Sequence, residues 1–129
     1  MDMEAAMKRM PPHSAEAEQA VLGAMLMNKD AIMVASEMLS GEDFYQTAYG
    51  ILFDAVVELF HEGKPVDLIT LQEHLKEKDV PPEVSSMEFA RELLVGTQTS
   101  ANIKYYAETV RDKAVLRRLI RRRRECSSW

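Results

Sequence analysis

The stretch that decides the fold reads TAYGILFDAVVELFHEG, residues 47–63. Its apolar residues cover more than half of the circumference of a helix, which is typical of a central and mostly buried helix. The helix is predicted to run from about Thr47 to Glu62, with Gly63 just past its end and Pro65 blocking any continuation. The pattern therefore predicts a helical core built around this segment.

Capping signals divide the rest of the chain into further helices. Ser14 is predicted to cap a helix whose first turn carries Glu16 and Glu18, where carboxylates interact favourably with the helix dipole. Asp67 and Ser85 are predicted to cap two later helices. No alternating strand pattern and no hairpin turn signal is found.

The resulting fold class is all-α, a compact bundle of about six helices that ends in one long helix. This last helix is predicted to begin at residues 99–101 and to reach at least Ile120. Residues 1–11 lack a clean pattern and are interpreted as a flexible N-terminal arm, residues 12–120 as the helical domain, and residues 121–129 as an atypical basic tail.

Composition restricts the class of protein. The chain has 129 residues, of which 47% are apolar, and it contains one cysteine, Cys126. A disulfide framework is therefore impossible, and a reducing compartment is expected. No apolar run approaches the ~20 residues that a membrane span needs. We expect a cytoplasmic protein without a membrane partner.

The sequence contains no recognisable catalytic motif. A phosphate-binding P-loop needs two glycines five positions apart followed by lysine and a hydroxyl residue, whereas the glycines here lie at positions 23, 41, 50, 63 and 96. Metal sites need clustered histidine and cysteine, and His13, His61, His74 and Cys126 are scattered. We predict no catalytic residue, no cofactor and no metal, and a chain that is not an enzyme.

Charge is distributed unevenly. Residues 1–103 carry 18 acidic and 7 basic side chains, and residues 104–129 carry 3 acidic and 9 basic ones. Three interpretations of the basic end remain open: a solvated helix terminus, a nucleic-acid contact, and a tail that is not native. An alternative function is therefore a small nucleic-acid-binding protein that uses the arginines at this end, Arg117, Arg118, Arg121, Arg122, Arg123 and Arg124.

Several segments, in order, resemble the amino-terminal domain of bacterial replicative DNA helicases of the DnaB type. The opening segment reads PHSAEAEQAVLGAML (residues 12–26), and EDFY (42–45) and ILF (51–53) follow it. The later segments are GKPVDLITL (63–71), TSANIKYYA (99–107) and LRRLI (116–120). The resemblance covers about residues 11–120 and departs from the family pattern at residues 121–129.

The resemblance implies a helical bundle followed by the first arm of a helical hairpin. It also implies pairing of these domains into a collar within a hexamer, and recruitment of primase and of loader or initiator proteins, with DNA contacted only indirectly. ATP hydrolysis and unwinding belong to a separate motor domain of that family and are not carried over to these residues.

The last helix supplies the candidate contact residues. Its apolar face is expected to support self-association, because a helix that extends beyond a bundle leaves surface in need of a partner. The self-association candidates are Tyr106, Val110, Leu116 and Ile120. By resemblance, the primase-contact candidates are Phe89, Leu116, Leu119 and Ile120.

Overall fold

The computed structural model describes residues 11–78, 80–82, 87–95 and 102–127. Within these residues the longer secondary-structure elements are all helical, which confirms the predicted fold class. The six helices are α1 (Ala15–Met27), α2 (Lys29–Met38), α3 (Thr47–His61), α4 (Leu68–Glu77), α5 (Met87–Val95) and α6 (Ile103–Ser127), and a short 3-10 turn at Gly41–Asp43 precedes α3.

Side-chain caps account for the starts of three of the described helices. The side chains of Ser14, Asn28 and Asp67 accept hydrogen bonds from backbone N–H groups two or three residues further on, at the starts of α1, α2 and α4. Gly63 has a φ of 74°, the left-handed conformation that ends a helix at low cost only for glycine. Ser85, the other predicted cap, lies outside the described residues.

Helix α3 lies at the centre of the core, as its sequence predicts. Leu52, Ala55 and Val56 have no exposed surface, and Phe53 is only 2% exposed. The 3-10 turn packs closely on the start of α3, because a Cβ atom on Gly50 would collide with a backbone carbonyl oxygen of the turn. This close approach fixes the position of the turn, which becomes important for the surface described below.

Helix α6 closes the bundle with its first half only. Ala107, Val110 and Ala114 are buried where α6 packs against α1 and α2. Beyond Ala114 no described side chain of α6 is buried. The helix runs without a break through Ile120 and ends at Ser127, so the predicted boundary at residue 120 is not a structural interruption.

Membrane-spanning helices and metal-ligand clusters are both absent from the part of the chain that the structure describes. None of the described helices is both long enough and apolar enough to cross a membrane. In the same part of the chain, no three histidine, cysteine, aspartate or glutamate side chains are grouped in a way that suits a metal ion.

Candidate protein interaction surface

An apolar face is exposed on the second half of α6. Val115, Leu116 and Leu119 are 44%, 41% and 54% exposed, and Ile120 is half-buried. Leu119 lies four residues after Val115 and three after Leu116, and Ile120 lies four after Leu116, so these side chains share one side of the helix. We call Val115, Leu116, Leu119 and Ile120 the α6 face.

Two arginines of the same turns, Arg117 and Arg118, contact the body of the protein. Arg117 donates through Nη1 to the carbonyl oxygen of Pro12 at 2.9 Å and through Nη2 to the carbonyl oxygen of Asp43 at 2.6 Å. Its guanidinium also lies 5.7 Å from the centre of the Tyr45 ring, within the range of a cation–π interaction. Arg118 forms an ion pair with the Asp43 carboxylate. We call these contacts the Arg117 clasp.

Two buried carboxylates, those of Asp43 and Glu18, accept backbone N–H groups of the segment that the clasp contacts. Asp43 is 6% exposed and accepts the backbone N–H of Ser40 at 2.9 Å, which caps the 3-10 turn. Glu18 is 1% exposed and accepts the backbone N–H groups of Tyr45 at 3.0 Å and Gln46 at 3.2 Å. Each carboxylate oxygen of Glu18 thus satisfies one N–H group of the segment that leads into α3.

The electrostatics of Arg117 reflect this enclosed position. Burial lowers the pKa of the Arg117 guanidinium from its usual range, and the neighbouring Arg118 acts in the same direction. The negative charges of Glu18 and Asp43, together with Tyr45, oppose that shift and favour the charged form. Arg117 is therefore a partly desolvated cation whose compensation comes from α1 and from the 3-10 turn.

The N-terminal end of the described chain joins the same contacts. The ring of His13 stacks on the ring of Tyr45 with 4.0 Å between their centres, and its Nδ1 lies 2.8 Å from the carbonyl oxygen of Pro11. Since Arg117 also binds the carbonyl of Pro12, the residues just before α1 lie between the 3-10 turn and α6.

A pocket of about 560 Å³ opens beside the clasp, between the 3-10 turn, the start of α3 and α6. Glu42 and Asp54 lie on one wall, and three arginines lie on the α6 wall. Burial raises the pKa of Asp54, although a hydrogen bond with the Gly41 backbone opposes this shift. The full lining is Gly41, Glu42, Phe44, Thr47, Gly50, Ile51, Asp54, Ala114, Arg117, Arg118 and Arg121.

A separate surface network joins α3 to the end of α4. Glu58 accepts hydrogen bonds from Lys78 and from His74 Nε2, the latter at 2.9 Å. The hydrogen bond from Lys78, followed by that from His74, lowers the pKa of Glu58. Glu62, four residues further along the chain, forms an ion pair with Lys64 instead.

The structure separates the self-association candidates into two groups. Val110 is 1% exposed and packs in the protein's own core, and Tyr106 is half-buried against that core. Leu116 and Ile120 belong to the α6 face. Val110 is therefore inaccessible to a partner in this fold, and the accessible part of the set lies beyond Ala114.

The other candidates lie on both sides of α6. Leu116, Leu119 and Ile120, suggested for primase, lie together on the α6 face, whereas the Phe89 side chain lies outside the described residues. Of the arginines suggested for nucleic acid, Arg117 and Arg118 are engaged in the clasp. Arg121 and Arg122 are exposed, and the side chains of Arg123 and Arg124 lie outside the description.

Comparison with known proteins gives the family. The model of the DnaB-like helicase N-terminal domain matches residues 10–112. The replicative DNA helicase DnaB of Geobacillus stearothermophilus is 44% identical over 114 residues, which are 88% of this chain and 25% of that protein. The replicative DNA helicase DnaC of Bacillus subtilis is 42% identical over 113 residues, with the same two coverages of 88% and 25%. The chain thus spans about a quarter of the length of these relatives.

Two solved structures are similar. The N-terminal domain of DnaB helicase from Mycobacterium tuberculosis superimposes with a TM-score of 0.82 at 38% identity, covering 87% of this chain and 81% of that one. The N-terminal domain of DnaB helicase from Helicobacter pylori, described together with its interactions with primase, gives 0.75 at 20% identity, covering 99% and 97%. The second likeness concerns the fold alone. The chain belongs to the DnaB-like helicase N-terminal domain family, and its residues correspond to the non-catalytic N-terminal domain of a replicative helicase rather than to the ATPase motor.

Proposed function

We propose that this domain pairs with a second copy of itself through the α6 face, and that it recruits primase to the helicase. The observation that carries the proposal is the reversed polarity of α6 beyond Ala114, where Arg117 and Arg118 bind the protein body and Val115, Leu116 and Leu119 face outward. A helix that exposes neighbouring apolar side chains while two of its charged side chains contact the body is suited to a partner.

Self-association suits the geometry of a single exposed helix. Two copies related by a two-fold axis bring the same surface together, so each apolar side chain of the α6 face is buried twice in one dimer. Standard interfaces bury ~800 Å² on each partner. The α6 face supplies the apolar centre of such an area. In the whole protein we place these dimers in the collar of a hexamer beside the motor domains, in the bacterial cytoplasm.

Recruitment of primase is the second part of the proposal. It is supported by the Helicobacter pylori relative, which is described together with its interactions with primase. An exposed helical face of leucine, valine and isoleucine is suited to an amphipathic helix of a partner. Loader or initiator proteins are further candidates for the same surface, and DNA is reached only indirectly through the assembled helicase.

Sedimentation equilibrium with Leu119→Lys tests self-association. A buried leucine contributes roughly 1.5 to 3 kcal/mol, so losing it from both copies should raise the dimer dissociation constant by about a hundredfold or more. The matched control is Ile69→Lys, since Ile69 is a 65% exposed apolar residue on α4, away from the α6 face. A wild-type chain that stays monomeric at high micromolar concentration, or equal effects of the two variants, would reject the proposal.

Calorimetric titration with the isolated helicase-binding domain of primase tests recruitment. We expect binding to the wild-type chain and to Ile69→Lys, and a loss of at least about tenfold in affinity for Leu116→Lys and Leu119→Lys. Absence of heat with the wild-type chain at high micromolar concentration contradicts recruitment. Salt-sensitive binding of single-stranded DNA that is lost in Arg121→Gln, Arg122→Gln would instead favour the nucleic-acid alternative.

A further inference from the structure

The second half of α6 is attached to the body by polar contacts rather than by apolar packing. Ala107 and Val110 anchor the first half in the core, and Ala114, 2% exposed, is the last buried side chain of the helix among the described residues. From residue 115 to residue 122 every described side chain is exposed or half-buried, and Arg117 and Arg118 form hydrogen bonds with the body there. The orientation of these last turns therefore depends on very few groups.

We infer that Arg117 is a positioning residue, which fixes the direction in which α6 leaves the body by holding the backbone carbonyls of Pro12 and Asp43 together. What the positioned α6 face binds rests on the proposed function, but the positioning itself does not. The two carbonyls belong to segments 31 residues apart in the chain, so one side chain joins the entry to α1, the end of the 3-10 turn and α6.

The chemistry of this contact requires arginine. A guanidinium is a planar group that presents several N–H donors at fixed angles, so its two terminal nitrogens can serve two acceptors at once. The Tyr45 ring lies 5.7 Å from it and limits its lateral movement. A lysine ammonium is a single point charge on a flexible chain and cannot occupy the positions of both Nη atoms.

Arg118 contributes differently. Its ion pair with Asp43 joins a carboxylate that is largely buried to a guanidinium that is about half exposed, at 51%. Salt screens a contact of this kind, whereas the two hydrogen bonds of Arg117 end on neutral carbonyl oxygens. The clasp thus has one component that salt weakens and one that it leaves largely intact.

The neighbouring pocket gives the helix end room to move. Its volume of about 560 Å³ lies between α6 and the 3-10 turn, so no close-packed layer resists a tilt of the last turns. Glu42, Asp54 and Arg121 all line this pocket. With Arg117 removed, the anchor at Ala114 remains and the turns beyond it sample several directions.

Pulsed electron–electron double resonance measures the spread of directions of the last turns of α6 as a distribution of distances between two spin labels. One spin label is attached to Cys126, the single cysteine, which lies in α6, and a second to Lys29→Cys at the exposed start of α2. All chains carry Leu119→Lys, which keeps them monomeric. The measured distances are then those within one molecule, and the result does not depend on whether the wild-type chain dimerises. The variants are Arg117→Gln and Arg117→Lys, with Arg111→Gln as the control because Arg111 is exposed on the same helix.

The expected result is a distance distribution about twofold wider in Arg117→Gln than in the parent, with an intermediate width in Arg117→Lys and the parental width in Arg111→Gln. Raising NaCl to 1 M should widen the parental distribution less than Arg117→Gln does. If circular dichroism shows that Arg117→Gln does not fold, the width of the distance distribution in Arg117→Lys tests the inference by itself. A parental width in a folded Arg117 variant overturns the inference, whereas a monomeric wild-type chain overturns only the proposed self-association.

Discussion

Neutralising Glu18 should destabilise the domain far more than its place in the first turn of a helix suggests. The side chain is 1% exposed, and its two oxygens accept N–H groups at 3.0 and 3.2 Å from the segment before α3. In Glu18→Gln one of these oxygens becomes an NH₂ donor, which then faces another donor. One charge-assisted hydrogen bond is lost, one buried N–H loses its partner, and the charge near Arg117 disappears.

The size of the effect follows from these losses. A hydrogen bond to a charged group contributes roughly 1.5 to 3 kcal/mol, and an unsatisfied buried N–H costs a comparable amount. Since the two overlap in one contact, we expect the free energy of unfolding to fall by about 2 to 3 kcal/mol. For a domain of this size that lowers the melting temperature by roughly 10 °C.

The matched control is Glu16→Gln. Glu16 also lies in the first turn of α1 but is exposed, so its charge acts only through the helix dipole, at less than about 1 kcal/mol. Urea unfolding followed by circular dichroism at pH 7 measures both variants. If the two changes lower the free energy of unfolding equally, Glu18 contributes only as a first-turn charge, and the argument from its hydrogen bonds fails.

Three further variants test other parts of the structure. Gly50→Ala should lower the free energy of unfolding by about 1 to 3 kcal/mol, since its Cβ meets the Gly41 carbonyl oxygen and the backbone must shift. Gly63→Ala should cost about 1 kcal/mol through its φ of 74° alone, because nothing lies within 4 Å of an added Cβ. Calorimetric scans compare the two, and a larger loss for Gly63→Ala contradicts this reasoning. The third change, Glu58→Gln, tests the pH dependence of stability. The hydrogen bond from Lys78 lowers the pKa of Glu58 in the folded protein. The ionised Glu58 therefore stabilises the fold above its ordinary pKa of 4.5, and this stabilisation is lost as the pH falls through the lower pKa of the folded state. The melting temperature of Glu58→Gln should therefore fall less between pH 6 and pH 3 than that of the wild type. Equal falls in the two proteins would show that the lowered pKa of Glu58 does not contribute to stability.

Local signals allowed the helices to be predicted from the sequence. The Ser14 cap, the Asp67 cap and the glycine after α3 act over two to four residues, and the structure contains all three. The apolar pattern of residues 47–62 likewise predicts the buried position of α3, because helical periodicity depends only on neighbouring residues. These features determine where helices begin, end and face inward.

The polar contacts behind the α6 face could not be predicted in the same way. Glu18 binds backbone groups 27 and 28 residues away, and Arg117 binds carbonyls 105 and 74 residues away. Val21, Leu22 and Met25, three, four and seven positions on, place Glu18 on the buried face of α1, but the local pattern does not say which backbone groups it binds. Nothing in the local pattern distinguishes Arg117 from Arg121. The sequence pattern presents the arginines as one basic block, yet the tertiary fold brings Arg117 and Arg118 against the body and leaves Arg121 exposed.

The division of α6 into two halves explains why one helix carries both stability and recognition. Its first half buries Ala107, Val110 and Ala114, small or branched side chains that let it lie close to α1 and α2. Its second half cannot bury Leu119 in the same core, because the periodicity of the helix places that residue opposite the body while Arg117 is turned toward it. Partial burial of the Arg117 charge carries a cost, which hydrogen bonds to the carbonyls of Pro12 and Asp43 offset. The structure thus keeps apolar surface available for a partner by satisfying an arginine on the opposite side of the helix.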